Sequence, residues 1–354
     1  MDGAAGLTGG VQGGGQAVRR LTSTVVEVTE SLTAGGSAGW GWSERARMSW
    51  LFPIPTMEMF VMTKVVVIGA TGKQGGAVAD LLLERGHEVV AYVRSGESPA
   101  AKALSAQGAR LATGDLADPG ALQQACAGAD AIFGLSVPFG EGGKNEEVAQ
   151  GRLLVDTATR FDVHLVYSSV RGGDRLVATS VGHADSKQLV EAYVRERPVR
   201  ATVLGPVYFM ENVLNLGFSR LGDGLLANPL TPGKPLDQVS VLDIAGMAVH
   251  AMENPGELIG ERIDIASDRV TGQEAARILS EVLGREIPYQ QLPLDMVRQW
   301  AGEEVATMFE SFENNTDFLD IETLHARYPA VRWHSYAEWA KTVDWDRILT
   351  GQNG

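Results

Sequence analysis

Cysteine and long hydrophobic runs are scarce in this sequence. Cys126 is the single cysteine among 354 residues, which excludes an intrachain disulfide and a metal site built from cysteines. No apolar run approaches the roughly 18 residues that a membrane-spanning helix needs. We therefore expect no membrane segment and a reducing, cytoplasmic location.

Positive charge is scarce as well. Lysine and arginine number 30 against 44 aspartates and glutamates, so the net charge is −14 at pH 7. A uniformly acidic surface repels phosphate backbones, and we expect no nucleic-acid partner. The histidines lack metal-ligand spacing, so no metal site is expected, and neither a Gly-x-Ser-x-Gly nor a P-loop motif is present.

The first 61 residues differ in character from the rest of the chain. Their stretches GLTGGVQGGGQ and TAGGSAGWGWS show no sustained period and offer little apolar surface to bury. We expect residues 1–61 to be a disordered extension, or Met62 to be the biological start. A regulatory arm is the alternative.

Strand and helix patterns alternate from Lys64 onward. We predict strands at 64–68, 88–93, 109–113, 129–135, 163–168 and 201–204, and helices at 74–85, 100–107, from Asp118, at 148–160 and at 186–197. Such alternation requires a parallel sheet with right-handed crossovers. The predicted fold is therefore α/β, a doubly wound parallel sheet formed by residues 62–206.

The alternation stops after Gly205. A helix is predicted at 243–253 and a short strand at 262–265, and Thr271 with Glu274 forms a capping box for a helix that ends at Gly284.

Helical patterns fill most of the remaining sequence. We expect residues 207–346 to form a smaller α+β lobe that binds a substrate or partner and returns some strands to the core sheet, followed by a tail at 347–354. The tryptophans of this region are expected in its core: Trp300, Trp333, Trp339 and Trp345.

A glycine-rich turn follows the first strand. It has the form Gly-x-x-Gly-x-x-Gly and opens an amphipathic helix. Glycines let the backbone turn tightly and let a pyrophosphate approach the helix N-terminus, where free N–H groups favour an anion. We expect a dinucleotide site here, with an ordinary turn as the alternative; its residues are Gly69, Thr71, Gly72, Lys73, Gln74 and Gly75.

The end of strand two bears on the choice of cofactor. Arg94 stands where an acidic residue would favour NAD. Its guanidinium can bind a 2′-phosphate bidentately and stack on adenine, with Ser95, Ser98 and Lys102 nearby. We therefore expect NADP(H) to be preferred over NAD(H). The alternative is a solvated charge at a strand end.

Asp115 and Leu116 follow strand three in the sequence GDL. An aspartate there can accept a hydrogen bond from the adenine amino group while the leucine packs on the ring. A turn that caps the helix after Asp118 explains the aspartate equally well.

These stretches together resemble the NmrA-like branch of the atypical short-chain dehydrogenase/reductases. The resemblance covers nearly all of residues 63–346 and rests on VIGATGKQGG, AYVRS, GDLADPGALQQACAGADAIFGLS, LVYSSV, HADSKQLVEAYVRE and LGPVYFMEN. It implies a Rossmann core with a smaller C-terminal lobe, and it assigns Ser136 to the cofactor site. The family includes NADP-sensing regulators, and related branches include NADPH-dependent quinone reductases and isoflavone-reductase-like enzymes.

The resemblance leaves the catalytic group open. Short-chain dehydrogenases use Tyr-x-x-x-Lys on one helix face, whereas this sequence has His183 and Lys187 at those positions. Lys187 resembles the lysine of isoflavone-reductase-like enzymes and could also bind the nicotinamide ribose, and His183 could donate a proton near neutral pH. The alternatives are a solvated helical charge for Lys187 and a polar first-turn residue for His183.

Further candidates follow strands five and six, at the sheet edge where α/β proteins bind ligands. Ser168 resembles the serine that orients substrate in active relatives, and Tyr167 is expected either at the nicotinamide or half-buried at the strand end. In GPVYFMEN we expect Asn212 to face the cleft and four residues to lie beside the nicotinamide, unless they only pack between lobes: Pro206, Val207, Tyr208 and Phe209.

Two functions therefore compete. One is an NADPH-dependent reductase of quinones, enones or similar small apolar carbonyl substrates, in which Lys187 organises the site and His183 or water supplies the proton. The other is a redox sensor that binds NADP(H) and engages a regulatory protein partner through the C-terminal lobe. The histidine at position 183 favours the sensor, and the retained Lys187 favours the enzyme.

Overall fold

The structure is a computed structural model that describes residues 63–136, 142–175 and 181–350, with the side chain of His183 left out. The chain divides into two units, Met1–Glu58 and Met59–Gly354, and all described residues belong to the second. The predicted extension 1–61 and the end of the predicted tail, 351–354, lie outside the described residues.

The elements follow one another with short connections. The strands are β1 (Lys64–Ile68), β2 (Glu88–Val93), β3 (Arg110–Thr113), β4 (Ala131–Gly134), β5 (His164–Ser168), β6 (Ala201–Pro206), β7 (Tyr208–Phe209), β8 (Leu226–Asn228), β9 (Pro235–Val239), β10 (Arg262–Ile265), β11 (Asp268–Thr271) and β12 (Tyr289–Gln291). The helices are α1 (Lys73–Glu84), α2 (Pro99–Ala106), α3 (Pro119–Cys126), α4 (Gly143–Phe161), α5 (Gly182–Glu196), α6 (Leu216–Ser219), α7 (Val241–Glu253), α8 (Pro255–Leu258), α9 (Gly272–Leu283), α10 (Leu294–Ala301), α11 (Glu303–Asn314), α12 (Ile321–Arg327), α13 (Tyr336–Thr342) and α14 (Trp345–Leu349), with 3₁₀ turns at Met210–Leu214 and Leu221–Asp223.

Seven strands form the central sheet in the order β10-β6-β5-β4-β1-β2-β3. Every pairing in it is parallel. Both faces are buried, because alternate residues of β1 enter different cores: Val65 and Val67 face one side, and Val66 and Ile68 the other. The predicted α/β, Rossmann-type parallel sheet is therefore confirmed.

Helices cover both faces of this sheet. Helices α1, α2 and α7 supply apolar side chains to one core, and α3, α4 and α5 supply them to the other. Helix α7 and strand β10 follow residue 206 in the chain yet pack within these layers. The lobe boundary expected at residue 346 falls inside α14.

The C-terminal region adds two small sheets, β11-β9-β7 and β12-β8, and two further apolar cores. The predicted Thr271–Glu274 capping box is present at the start of α9, which ends at Gly284 in the left-handed conformation. Among the described helices, none is both long and apolar enough to cross a membrane.

Some predicted details were wrong. Helix α4 begins at Gly143 instead of residue 148, and α5 begins at Gly182 instead of residue 186, because both helices start with a polar turn. Strand β4 is also shorter than predicted. Trp339 and Trp345 are core residues and Trp333 is partly buried, but Trp300 is 57% exposed because α10 is a surface helix whose buried contact is Val297.

His164 at the start of β5 is a buried histidine that the fold holds neutral. Its Nε2 lies 2.8 Å from the hydroxyl of Thr202, and that hydroxyl donates to the carbonyl of Leu258. The Nε2 atom therefore carries the proton, and Nδ1 is buried with no hydrogen-bond partner among the residues that the structure describes. Burial, followed by the charge of Arg200, lowers the pKa of His164 to about 4.

This histidine makes the stability of the fold sensitive to acid. The unfolded chain binds a proton at His164 below its ordinary pKa of 6.5, whereas the folded chain does so only near pH 4. Stability is therefore lost as the pH falls from 6.5 towards 4, by roughly 2 kcal/mol at pH 5. We expect the difference in unfolding free energy between the native protein and His164→Gln, measured in urea, to shrink by about that amount from pH 7.5 to pH 5. A constant difference would contradict this assignment.

Candidate functional site

The glycine-rich turn joins β1 to α1 in the form expected of a phosphate-binding loop. Gly69 has φ of +65°, which only glycine adopts without strain, and its carbonyl accepts from the N–H of Gly72 at 2.8 Å. Gly72 precedes the first helical residue, Lys73, and no side chain caps the helix N-terminus. The first-turn N–H groups are thus free of a side-chain cap, and Thr71 is exposed beside them.

Gly75 is required for a second reason, which is close packing. A Cβ atom at this position would lie 2.3 Å from the carbonyl oxygen of Gly69 and 2.7 Å from that of Ile68. The first turn of α1 therefore sits directly against the end of β1. Both glycines serve the geometry of the turn.

Arg94 follows β2 at the same edge of the sheet and is exposed. Within residues 63–136, 142–175 and 181–350 its guanidinium has no hydrogen bond or ion pair. The neighbouring polar groups are engaged locally: Ser95 accepts from the N–H of Glu97, Ser98 caps α2, and Lys102 pairs with Glu97 at 2.9 Å. Arg94 is therefore the cation at this position that is available to a ligand.

Asp115 after β3 adopts the turn that was the alternative interpretation. Its carboxylate accepts from the N–H of Ala117 at 2.7 Å, and its carbonyl accepts from the Tyr92 hydroxyl at 2.9 Å. Leu116 is half-buried against the apolar core between the sheet and helices α3, α4 and α5. These contacts explain the local fold and leave the predicted adenine contact as a prediction.

Lys187 on α5 lies deep in the site and is 6% exposed, so it is not a solvated helical charge. Its ammonium donates to the carbonyl and hydroxyl oxygens of Ser136 at 3.1 and 2.9 Å and to the carbonyl of Ser168 at 3.4 Å. Its ion-pair partner is Glu147 on α4, with Nζ 3.2 Å from Oε1. Burial lowers the pKa of Lys187, and Glu147 opposes that change.

Tyr167 does not line the site as predicted, nor is it half-buried. It is fully buried, its hydroxyl lies 2.9 Å from the Ser136 hydroxyl, and its ring centroid is 5.2 Å from Lys187 Nζ. Burial raises its pKa. The reason is strand alternation: Tyr167 points into the core on the α4–α5 side of the sheet.

Ser168, the next residue, reaches the ligand edge. Its hydroxyl donates to the side-chain oxygen of Gln74 at 2.7 Å, which links the end of β5 to the phosphate turn. His183 lies on α5 one turn before Lys187. Its side chain lies outside the described residues.

A cavity of about 750 Å³ opens where β4, β5 and β6 end. Predicted residues that line it are Lys73, Gln74, Ser136, Ser168, Lys187, Pro206, Val207, Tyr208, Phe209 and Asn212. The turn glycines and Arg94 lie further along the same sheet edge. Burial raises the pKa of Tyr208 to about 12, so this hydroxyl stays neutral.

Helix α11 forms the opposite wall of the cavity, and sequence reasoning missed it. One face of this helix lines the cavity with Val305, Met308, Phe309 and Phe312. The ring of Tyr208 packs edge-on against the rings of Phe309 and Phe312, with centroid distances of 6.1 and 5.9 Å. Phe218 stacks on Phe309 with a centroid distance of 5.7 Å. The spacing of these apolar residues was the available signal, but it also fits ordinary packing.

A polar rim completes the cavity and was also missed. Arg171 donates to the carbonyl of Asp317 at 2.7 Å and lies 3.6 Å from the Asp237 carboxylate. Arg175 pairs with Asp317 at 3.3 Å. These contacts tie the segment after α11 to the loop after β5. No group of three or more metal-ligating side chains occurs among the described residues.

Comparisons with known proteins give a consistent family. The model of the NmrA-like family matches residues 62–341. An NAD(P)H azoreductase from Xenophilus azovorans is 29% identical over 66% of this chain and 79% of its own length.

Solved structures of similar fold include a reductase and a regulator. The triphenylmethane reductase of Citrobacter sp., complexed with NADP(H), has a TM-score of 0.64 at 22% identity and covers 78% of this chain and 99% of its own. The structure of NmrA, a negative transcriptional regulator, in complex with NADP has a TM-score of 0.65 at 21% identity. The match covers 82% of this chain and 98% of the NmrA chain.

Gly75→Ala tests the packing of the turn. Alanine normally stabilises a helix by up to about 1 kcal/mol relative to glycine, but here its methyl group would clash with two carbonyl oxygens. We expect a loss of about 2 kcal/mol in unfolding free energy, measured in urea. Gly256→Ala in α8 is the control, because a Cβ there meets nothing within 4 Å. Equal stability of the two variants would show that the turn does not need Gly75.

Proposed function

The chain belongs to the NmrA-like family, and we propose that it is an NADPH-dependent reductase of small apolar carbonyl or quinone substrates. The observation that carries the proposal is the buried Lys187 ammonium, which opens into a largely apolar cavity beside the phosphate-binding turn. A cation placed there can stabilise negative charge that develops on a substrate oxygen.

The phosphate turn fits a dinucleotide. The uncapped start of α1 offers N–H groups to a pyrophosphate, and the absence of a side chain at Gly75 lets the turn lie close to the helix. Arg94, which makes no hydrogen bond or ion pair within the described part of the chain, fits a 2′-phosphate, and we therefore propose NADP(H) over NAD(H). When bound, NADPH supplies the hydride.

The chain's own residues would orient the substrate and hold the proton. Ser168, fixed by Gln74, presents its oxygen at the sheet edge, and Lys187 lies beside its carbonyl. The hydrogen bond from the Lys187 ammonium to the Ser168 carbonyl is the longest hydrogen bond that this ammonium makes. A substrate oxygen would replace it most readily. His183 or a water molecule would then supply the proton to that oxygen. Val207, Phe209 and the apolar side chains of α11 line the cavity, and they would displace water from a bound substrate.

A redox sensor is the second candidate. The observation that favours it concerns the tyrosine that short-chain dehydrogenases use. Position 183 carries histidine instead, and the hydroxyl of Tyr167 is buried in the core. In that case the chain would bind NADP(H) and engage a regulatory protein partner, without turnover. A similar fold is seen in the regulator NmrA.

Lys187→Met separates the two candidates. We expect kcat/KM for NADPH oxidation with a panel of quinones and enones to fall by about 100-fold or more, because the cation at the substrate oxygen is lost. Ser168→Ala is a second variant that leaves the Glu147 ion pair intact, and we expect a fall of about 10-fold or more. Lys341→Met, at an exposed lysine of α13 that does not line the cavity, is the control. Saturable turnover that survives both site variants would contradict the assigned roles, and cofactor binding without any turnover favours the sensor.

Arg94→Ala tests the choice of cofactor. Removing a charge-assisted contact to a phosphate should raise the Kd for NADPH by about 10-fold or more, while the Kd for NADH stays within about twofold. Arg110→Ala is the matched control, because Arg110 is an exposed arginine at the start of β3, whereas Arg94 follows the end of β2. Equal weakening of both cofactors, measured by calorimetry, would remove Arg94 from the phosphate site.

A further inference from the structure

Glu147 is a buried carboxylate at the meeting point of three parts of the fold. It lies in the first half of α4, is 2% exposed, and faces α5 and the residues that follow β4. Its Oε1 atom is 3.2 Å from Lys187 Nζ and accepts from the Ser136 hydroxyl at 3.4 Å. Its Oε2 atom accepts from the Ser186 hydroxyl. Both oxygens are therefore used within the site.

Of the carboxylates that the structure describes, Glu147 is the one in direct contact with Lys187. Glu191 follows Lys187 by one turn of α5, but its carboxylate is held by the Ser169 hydroxyl and by Arg262, whose Nε lies 2.9 Å away. Arg262 thus offsets the charge of Glu191. From β5, Tyr167 presents a ring and a neutral hydroxyl.

A carboxylate at this position has a cost that packing alone does not explain. Removing one charge from water costs several kcal/mol, and an ion pair in the interior offsets this only when its remaining hydrogen bonds are met. A pair of apolar residues would fill the same space without that cost. The full set of hydrogen bonds therefore points to a requirement for a fixed and charged ammonium.

We propose that Glu147 is a positioning residue of the reductase site: it holds the Lys187 ammonium between Ser136 and Ser168 and keeps it charged. This inference rests on the proposed function, since it assigns Glu147 a task in the reaction and not only in folding. Glu147 lies outside the cavity lining, so it acts through Lys187 and Ser136 and touches neither substrate nor cofactor.

Glu147→Gln is the decisive substitution, because glutamine keeps the shape and removes the charge. We expect kcat to fall at least 10-fold with KM for the quinone within threefold. The alkaline limb of the kcat profile, where Lys187 loses its proton, should move at least one pH unit lower. Glu147→Asp restores the charge and should return this limb towards its original position, with a lower kcat because the carboxylate is shorter.

Asp243→Asn is the matched control for a purely structural effect. Asp243 is fully buried and forms an ion pair with His334, away from the cavity. Its loss should lower the unfolding free energy while leaving the alkaline limb in place. If Glu147→Gln behaves in the same way, with lower stability and an unmoved limb, Glu147 is a structural residue and the inference is wrong.

A second readout does not depend on turnover. In the full chain carrying 13C-labelled lysine, the Lys187 Cε signal, identified by its absence in Lys187→Met, reports the titration of the ammonium. Its midpoint should fall by at least one pH unit in Glu147→Gln and return in Glu147→Asp. An unchanged midpoint overturns the inference. A shifted midpoint in a chain without turnover supports the pairing of Glu147 with Lys187 and contradicts the proposed reductase function instead.

Discussion

Burial of the Lys187 ammonium is the constraint on which the site depends. A charged group removed from water must find acceptors for its protons, and no single element of this fold could supply them all. The loop after β4 provides Ser136, the end of β5 provides the Ser168 carbonyl, and α4 provides Glu147. The carboxyl ends of parallel strands meet at one edge, so the fold can assemble these groups and open the cavity beside them.

Much of the fold could be predicted, because local patterns in the sequence indicate its strands and helices. Alternating strands and helices indicate a parallel sheet, and the Thr271–Glu274 capping box marks its helix directly. Polar first turns were harder, since Lys144 and Glu146 read as loop residues although they open α4. That error hid Glu147, which lies just before the predicted helix and is polar in a position where only tertiary contacts reveal burial.

The site was predictable where a motif carries geometry, and not where distant segments meet. Gly69 and Gly75 follow from the needs of a tight turn, and Lys187 from its spacing on α5. Tyr167 and Ser168 are adjacent, so strand alternation sends one into the core and the other to the ligand edge, and the sequence does not say which. Helix α11 begins at Glu303, 97 residues after β6 ends at Pro206, and no local pattern in the sequence pairs this wall of the cavity with β6.

Under the proposed function, hydride passes from NADPH to a substrate at the sheet edge where Lys187 lies. The most direct measurement uses NADPH deuterated at C4 on one face and then on the other, with a quinone or enone and the full-length protein, and follows the label by mass spectrometry. We predict that deuterium is transferred from one face of C4 only: it is gained by the reduced enone, and with a quinone it is missing from the oxidised cofactor. Binding of NADPH with the label retained on both faces, for every substrate offered, would contradict it and leave the regulator as the better description.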